Sequence, residues 1–193
     1  MKGARRVFHR ASTRLRLPIT KDILQKITAP QTSQPDKDSL NFTTACIVAF
    51  AGFLRMGEFT YTRAEAAKTT LFKETRLTRC DIKFFGNDDY ATLFLRRSKT
   101  DHRHEGVTIV LSATRDSTCP VAALRQLFEQ DPKPESAPLF GLTSGSFSRQ
   151  EALKELNSWL LQVGILPKGF LGHSFRKGAA QEAYNNGLTQ EEI

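Results

Sequence analysis

Apolar residues along this chain change their spacing twice, dividing it into a helical part, a short strand-rich part and a second helical part. After Pro18-Ile19, the hydroxyl of Thr20 is placed to cap a short helix over residues 21–27. A polar, proline-containing loop runs from Ala29-Pro30 to Asp38. Leu40, Thr43, Ile47, Phe50, Ala51 and Leu54 then recur at helical spacing, with Asp38 or Ser39 as the cap. Cys46, Val48, Ala49 and Phe53 are apolar as well, which predicts a helix buried nearly all round. Gly57 punctuates a tight turn after it.

From Leu77 the period shortens to alternation. Residues 77–85, 90–96 and 107–111 read as three strands of a small antiparallel sheet. Gly86-Asn87-Asp88-Asp89 is the first turn, and residues 97–106 form a charged hairpin loop. Helical spacing returns at Cys119-Pro120, with proline in the first turn where its missing N–H costs least, and runs through Gln130. After a loop from Pro132 to Pro138, Ser148 starts a helix with Leu153, Leu156, Leu160 and Leu161 along one side, ended at Gly164. A last helix runs from His173 to Asn186 and stops at Gly187. Thr189-Gln190-Glu191-Glu192 is a further helix-start signal, so the chain is expected to stop in mid-element. The fold class expected is α+β, mainly helical with a three-stranded antiparallel sheet and no internal repeat. Residues 1–17 read as a basic arm or linker, and residues 18–193 as one domain.

A hydrophobic content of 39% and a charged content of 25% fit an ordinary globular domain. The longest apolar run, Ala45 to Leu54, is far too short to cross a bilayer, so no membrane partner is expected. The first residues are basic and unlike a secretory leader. Cys46, Cys80 and Cys119 lie far apart, form no metal-ligand pair and read as reduced thiols of an intracellular protein. Charge changes the picture more. The net charge is +8, and Lys2, Arg5, Arg6, Arg10, Arg14 and Arg16 all precede the first acidic residue, Asp22. Such a block suits nucleic acid, because each phosphate contact releases condensed counterions. The plainer reading is a solubilising arm.

Three short segments can carry chemistry. Phe53-Leu54-Arg55-Met56-Gly57-Glu58 puts an arginine at the end of a buried helix, where its charge needs Glu58 or a bound anion. Arg96-Arg97-Ser98-Lys99-Thr100-Asp101 puts a lysine on a hairpin tip, either a solvated turn or a proton donor that swings toward a ligand. Gly172-His173-Ser174-Phe175-Arg176-Lys177-Gly178 projects His173 and Arg176 from one face of a helix start, with Phe175 turned to the core. That start is either a surface pair or a phosphate site helped by the helix dipole. Two arginines, a histidine and a mobile lysine, with no carboxylate cluster, fit phosphoryl transfer stabilised by side-chain cations.

The order of these motifs resembles the catalytic domain of tyrosine recombinases, the phage integrases. Arg55 with Glu58, Lys99 in the second hairpin loop, and His173-x-x-Arg176 carry the resemblance. Leu17-Pro18-Ile19-Thr20, Cys119-Pro120 and Pro138-Leu139-Phe140 support it. The wording of residues 51–59 and of Ser98-Lys99-Thr100-Asp101 is most similar to eukaryotic Crypton-type mobile elements. The resemblance covers residues 15–193, and it is the ordered set rather than any one motif that is specific.

That resemblance implies a DNA-breaking and rejoining enzyme acting on double-stranded DNA, with self-association on the DNA and no metal or other cofactor. Arg55 and Arg176 would clamp the scissile phosphate. His173 would bond a nonbridging oxygen or handle the nucleophile's proton, Lys99 would protonate the leaving 5′-hydroxyl, and Glu58 would hold Arg55. Arg5, Arg6, Arg10, Arg14, Arg16, Arg97 and Lys177 would bind DNA, and a eukaryotic host would place the protein in the nucleus. The family's second His or Trp and its nucleophilic tyrosine have no counterpart in the 17 residues after Arg176. Tyr184 there lies two turns along the same helix and is expected to pack, so the domain reads as lacking its C-terminal helices. Competing readings are a domesticated DNA-binding remnant, a metal nuclease using Asp101, His102, His104 and Glu105, and a protein-interaction domain.

Overall fold

Thr20 opens the ordered helices as its position predicts, its hydroxyl accepting the Ile23 N–H at 3.3 Å at the start of α1 (Lys21–Thr28). The structure is a computed structural model that describes residues 16–29, 36–98, 103 and 105–191. The cap of α2 (Lys37–Ala51) is Asp36 rather than Asp38 or Ser39: its carboxylate accepts the Ser39 N–H at 2.8 Å. Asp38 sits inside the first turn and instead accepts from the Thr143 N–H and hydroxyl. α2 is buried nearly all round, from Leu40 through Ala49 apart from Thr43, because other helices pack on several of its sides.

Three short helices follow that the spacing did not predict: α3 (Met56–Phe59), α4 (Arg63–Ala66) and α5 (Thr69–Thr75). Each is two turns or less, too short for a 3.6-residue period to show. The strand expected over residues 77–85 is shorter. Its first half forms a bridge between Thr78 and Pro138 and a 3-10 turn at Arg79–Asp81, and only β1 (Ile82–Phe85) is strand. β2 (Tyr90–Leu95) and β3 (Val107–Ser112) complete an antiparallel sheet in the order β1-β2-β3, with Ile82 opposite Leu93 and Leu93 opposite Ile109.

α6 (Pro120–Gln130) and α7 (Arg149–Gln162) stand where the sequence places them, α7 capped by the Ser148 hydroxyl on Glu151 N–H. Ala152, Leu156, Trp159 and Leu160 are the buried residues of α7. Leu161 does not join them: it lies 100° around the helix from Leu160 and is 57% exposed. The core between the helices is aromatic, with Phe42 edge-on to Trp159 at 4.8 Å and Phe59 edge-on to Phe175 at 6.4 Å. Phe175 is buried, as its place in the motif predicts.

α8 (Ser174–Asn185) is locked to the start of the domain. Ile19 N–H donates to Ser174 O at 2.9 Å, Leu17 N–H to Gly169 O at 2.8 Å, and Lys177 Nζ to Arg16 O at 2.7 Å. Only glycine fits at Gly178, where a Cβ would lie 1.6 Å from the Ile19 carbonyl oxygen. That close approach seats α8 against the Ile19 backbone, two residues along from Arg176.

Candidate functional site

The site begins at the last turn of α2. Gly52 caps the helix and Phe53 adopts a left-handed conformation, φ 53°, a position more often taken by glycine. The chain thereby reverses, Leu54 tucks into the core, and Arg55 emerges in extended conformation just before α3. Glu58, one turn into α3, accepts the Arg55 backbone N–H at 2.7 Å and the Arg55 Nη1 at 2.9 Å. Its side chain is 8% exposed and that of Arg55 is 19% exposed, so the guanidinium is held by its partner without being sealed from solvent.

Two further segments meet this turn. Ser98, just beyond β2, receives a hydrogen bond from Arg55 Nη1 at 3.4 Å and donates one to Glu58 Oε1 at 3.2 Å. On the other side Met56 N–H donates to Gly172 O at 2.9 Å, and Arg176 Nη1 donates to the Phe53 carbonyl at 3.2 Å. The structure thus gathers Arg55, Glu58, Ser98, Arg176 and the backbone beside His173 around one reversal of the chain. His173 is exposed and is the residue that caps α8, with φ −107° and ψ 1°, rather than its first helical residue. Arg176 is half-buried one turn later.

Of the other cations singled out from the sequence, Arg16, Arg97 and Lys177 are exposed. Lys99, Arg5, Arg6, Arg10 and Arg14 lie outside the described residues, as do Asp101, His102 and His104 of the metal-nuclease reading. Among the described residues, no group of three or more His, Cys, Asp or Glu is placed to hold a metal ion.

The tyrosines are placed as follows. Tyr61 is buried, and its hydroxyl donates to Phe140 O at 3.0 Å. Burial, reinforced by the charge of Glu151, pushes that phenol up to about 12. Tyr90 stacks on Phe85 at the start of β2, the opposite end of that strand from Ser98. Tyr184 does not pack as expected: it is 63% exposed, because its side of the last turn of α8 faces solvent.

Sequence reasoning missed three participants. Ser98 was read only as part of a motif, yet it bridges Arg55 and Glu58. The Phe53 and Gly172 carbonyls carry no sequence signal, since any residue has one. The Gly52-Phe53 reversal is the single local hint, a glycine followed by an apolar residue at the end of an apolar helix.

No protein-family model matches the chain, and no curated protein matches it. Solved structures do. The XerH site-specific recombinase bound to difH substrate, in a pre-cleavage complex, superposes with a TM-score of 0.60 at 15% identity. That match covers 90% of this chain and 44% of the recombinase. The post-cleavage complex of XerH on palindromic difH gives a TM-score of 0.60 at 16% identity, over 91% of this chain and 44% of the other. The likeness shows a shared fold, and the chain spans less than half the length of the proteins it matches.

Proposed function

We propose that this chain is the DNA-binding catalytic domain of a tyrosine recombinase, in which Arg55 and Arg176 clamp a phosphate of double-stranded DNA. The observation that carries the reading is the meeting of Arg55, Glu58, Ser98 and Arg176 at one chain reversal, although Arg55 and Arg176 are far apart in sequence. Planar guanidinium forks suit a phosphate better than ammonium groups do, because each offers paired donors at fixed spacing. The fold shared with XerH complexes supports the same reading.

In this account Glu58 orients Arg55, and His173 at the start of α8 bonds a nonbridging oxygen or handles the nucleophile's proton. Lys99, next to Ser98, protonates the departing 5′-hydroxyl. A tyrosine would attack phosphorus, breaking the bond to that hydroxyl and storing its energy as a 3′-phosphotyrosine. The cations supply the charge stabilisation, so the chemistry calls for no cofactor. Arg5, Arg6, Arg10, Arg14, Arg16, Arg97 and Lys177 extend the contact along the duplex backbone, where self-association of the protein would bring two strands together. The Crypton-like wording of the motifs fits a eukaryotic mobile element acting in the nucleus.

None of the three tyrosines is bonded to the site among the described residues, with Tyr61 committed to the Phe140 carbonyl. A second reading is a remnant that keeps the clamp and binds DNA without cutting it. In either case the 193-residue chain should form no covalent adduct with a nicked suicide duplex, assayed as a protease-sensitive shifted band on a denaturing gel. An adduct that disappears in Tyr184→Phe would make Tyr184 the nucleophile and contradict this assignment of roles.

A further inference from the structure

A second cationic site lies beside the edge of the sheet, built by residues that the proposed clamp does not use. Residues 77–80 pair with residues 135–139: Leu139 N–H donates to Leu77 O, Arg79 N–H to Ala137 O and Cys80 N–H to Glu135 O, each at 3.0 Å. Pro134 and Pro132 then turn the covering chain, and a cavity of 520 Å³ lies between that loop, β1 and α6. Arg79, Lys83 and Lys133 line it, with Cys80, Phe128 and Glu135.

Arg79 is the unusual member. Its side chain is 3% exposed, and its Nε, fully buried, has no hydrogen-bond partner among the described residues. Its bond to Asp131, from Nη2, is long at 3.4 Å. That carboxylate is more tightly engaged elsewhere, by Lys133 at 2.6 Å and Asn41 at 3.1 Å, with Lys37 at 3.5 Å. Stacking of the guanidinium on Phe128, 4.7 Å from the ring centroid, does not replace the missing acceptor. Burial pulls the Arg79 guanidinium below its ordinary range, and Asp131 offsets this only in part. A buried guanidinium with an unused donor and only one long ion pair is costly, and an anion drawn to it offsets that cost.

We propose that this cavity binds a phosphate monoester or inorganic phosphate, at a site separate from the Arg55–Arg176 pair. Charge selects the ligand. The residues that line the cavity are three cations, Arg79, Lys83 and Lys133, against one carboxylate, Glu135, a surplus of two positive charges in the lining, with Asp131 outside it and bonded to Arg79 and Lys133. A phosphate monoester carries about −1.5 to −2 at neutral pH, closer to that surplus than a carboxylate or a backbone phosphodiester. The Phe128 ring and Pro132 give an attached group an apolar wall. The ligand is a free phosphate compound or the 5′-phosphate end of a DNA strand.

Cys80 lines the cavity and is exposed, whereas Cys46 and Cys119 are buried, so its alkylation reports occupancy. A dianion beside it blocks approach and disfavours the thiolate that reacts. The experiment titrates the full chain with inorganic phosphate at constant ionic strength, using chloride to balance. It follows N-ethylmaleimide labelling of Cys80 by peptide mass mapping. Labelling should fall saturably, about tenfold at ten times the half-saturating concentration. Lys83→Gln, an exposed edge-strand change that leaves the core untouched, and Arg79→Lys should both raise that concentration. Arg55→Ala should leave it unchanged, which separates failure here from failure of the clamp. Protection by a 5′-phosphorylated duplex but not its 5′-hydroxyl twin assigns a DNA end. Protection by inorganic phosphate but neither duplex assigns a free compound. Labelling that chloride slows equally, or a half-point unmoved in Lys83→Gln, would overturn the proposal.

Discussion

Glu58 answers three donors at once: the Arg55 backbone N–H at 2.7 Å, the Arg55 guanidinium at 2.9 Å and the Ser98 hydroxyl at 3.2 Å. A carboxylate that is 8% exposed is desolvated, so each of these bonds offsets a real burial cost. Glu58→Gln keeps the shape and removes the charge. It also replaces one acceptor by an N–H₂ that faces donors. The expected loss is about 2 kcal/mol of stability, below the usual range for a fully buried pair because Arg55 is partly solvated. Urea unfolding measures it. Duplex affinity should fall as well, since Arg55 loses the partner that fixes its rotamer. A variant with unchanged stability and unchanged DNA binding would remove Glu58 from the site. At this scale the sequence was half legible. Arg55 and Glu58 announce themselves as charges beside an apolar helix, whereas the carbonyls that complete the arrangement belong to Phe53 and Gly172, whose side chains say nothing of it.

The elements that were legible are those whose period had room to repeat. α2, α6, α7, β2 and β3 follow from spacing, because their lengths cover enough positions to show a face, whereas β1 is only the second half of the strand expected over residues 77–85. α3, α4 and α5 did not, and α3 is the helix that holds Glu58. The start of α2 was misplaced because Asp36, Asp38 and Ser39 are all competent caps, and Thr143 decides by binding Asp38. Between elements, Asp116 is the clearest electrostatic joint. Placed ahead of α6, it pairs with Lys21 of α1 at 3.0 Å and accepts from the Thr118 N–H and the hydroxyls of Thr114 and Thr118. Burial alone would raise its pKa, but the bonds from Thr118, Lys21 and Thr114 hold it down at about 2. A carboxyl depressed in the folded state stabilises it fully above the ordinary value of 3.8 and loses that contribution as pH falls toward about 2. Urea midpoints should therefore drop across that window, and Asp116→Asn should be less stable at neutral pH with a shallower acid slope. An unchanged acid slope in Asp116→Asn would show that other carboxyls carry it. The side chain is 30% exposed, so salt should weaken the effect.

At the scale of the whole molecule, the end of α2, the end of β2 and the start of α8 are brought to one place by a mainly helical α+β fold shared with XerH. Sequence order alone could suggest that meeting only through resemblance, since no local rule links Arg55 to Arg176. Among the described residues, no helix is long and apolar enough to cross a membrane. The net charge of +8 is the global property that bears on the partner. If the arm and the clamp together neutralise about six phosphates, log affinity for duplex DNA should fall with log salt at a slope near −5. The most direct test of the account is fluorescence anisotropy of a labelled duplex, across a salt series, for the parent chain, Arg55→Ala and Arg176→Ala. Each substitution should weaken binding and reduce the slope by about one, the signature of one lost phosphate contact. Affinity and slope that stay unchanged in both variants would contradict the phosphate clamp.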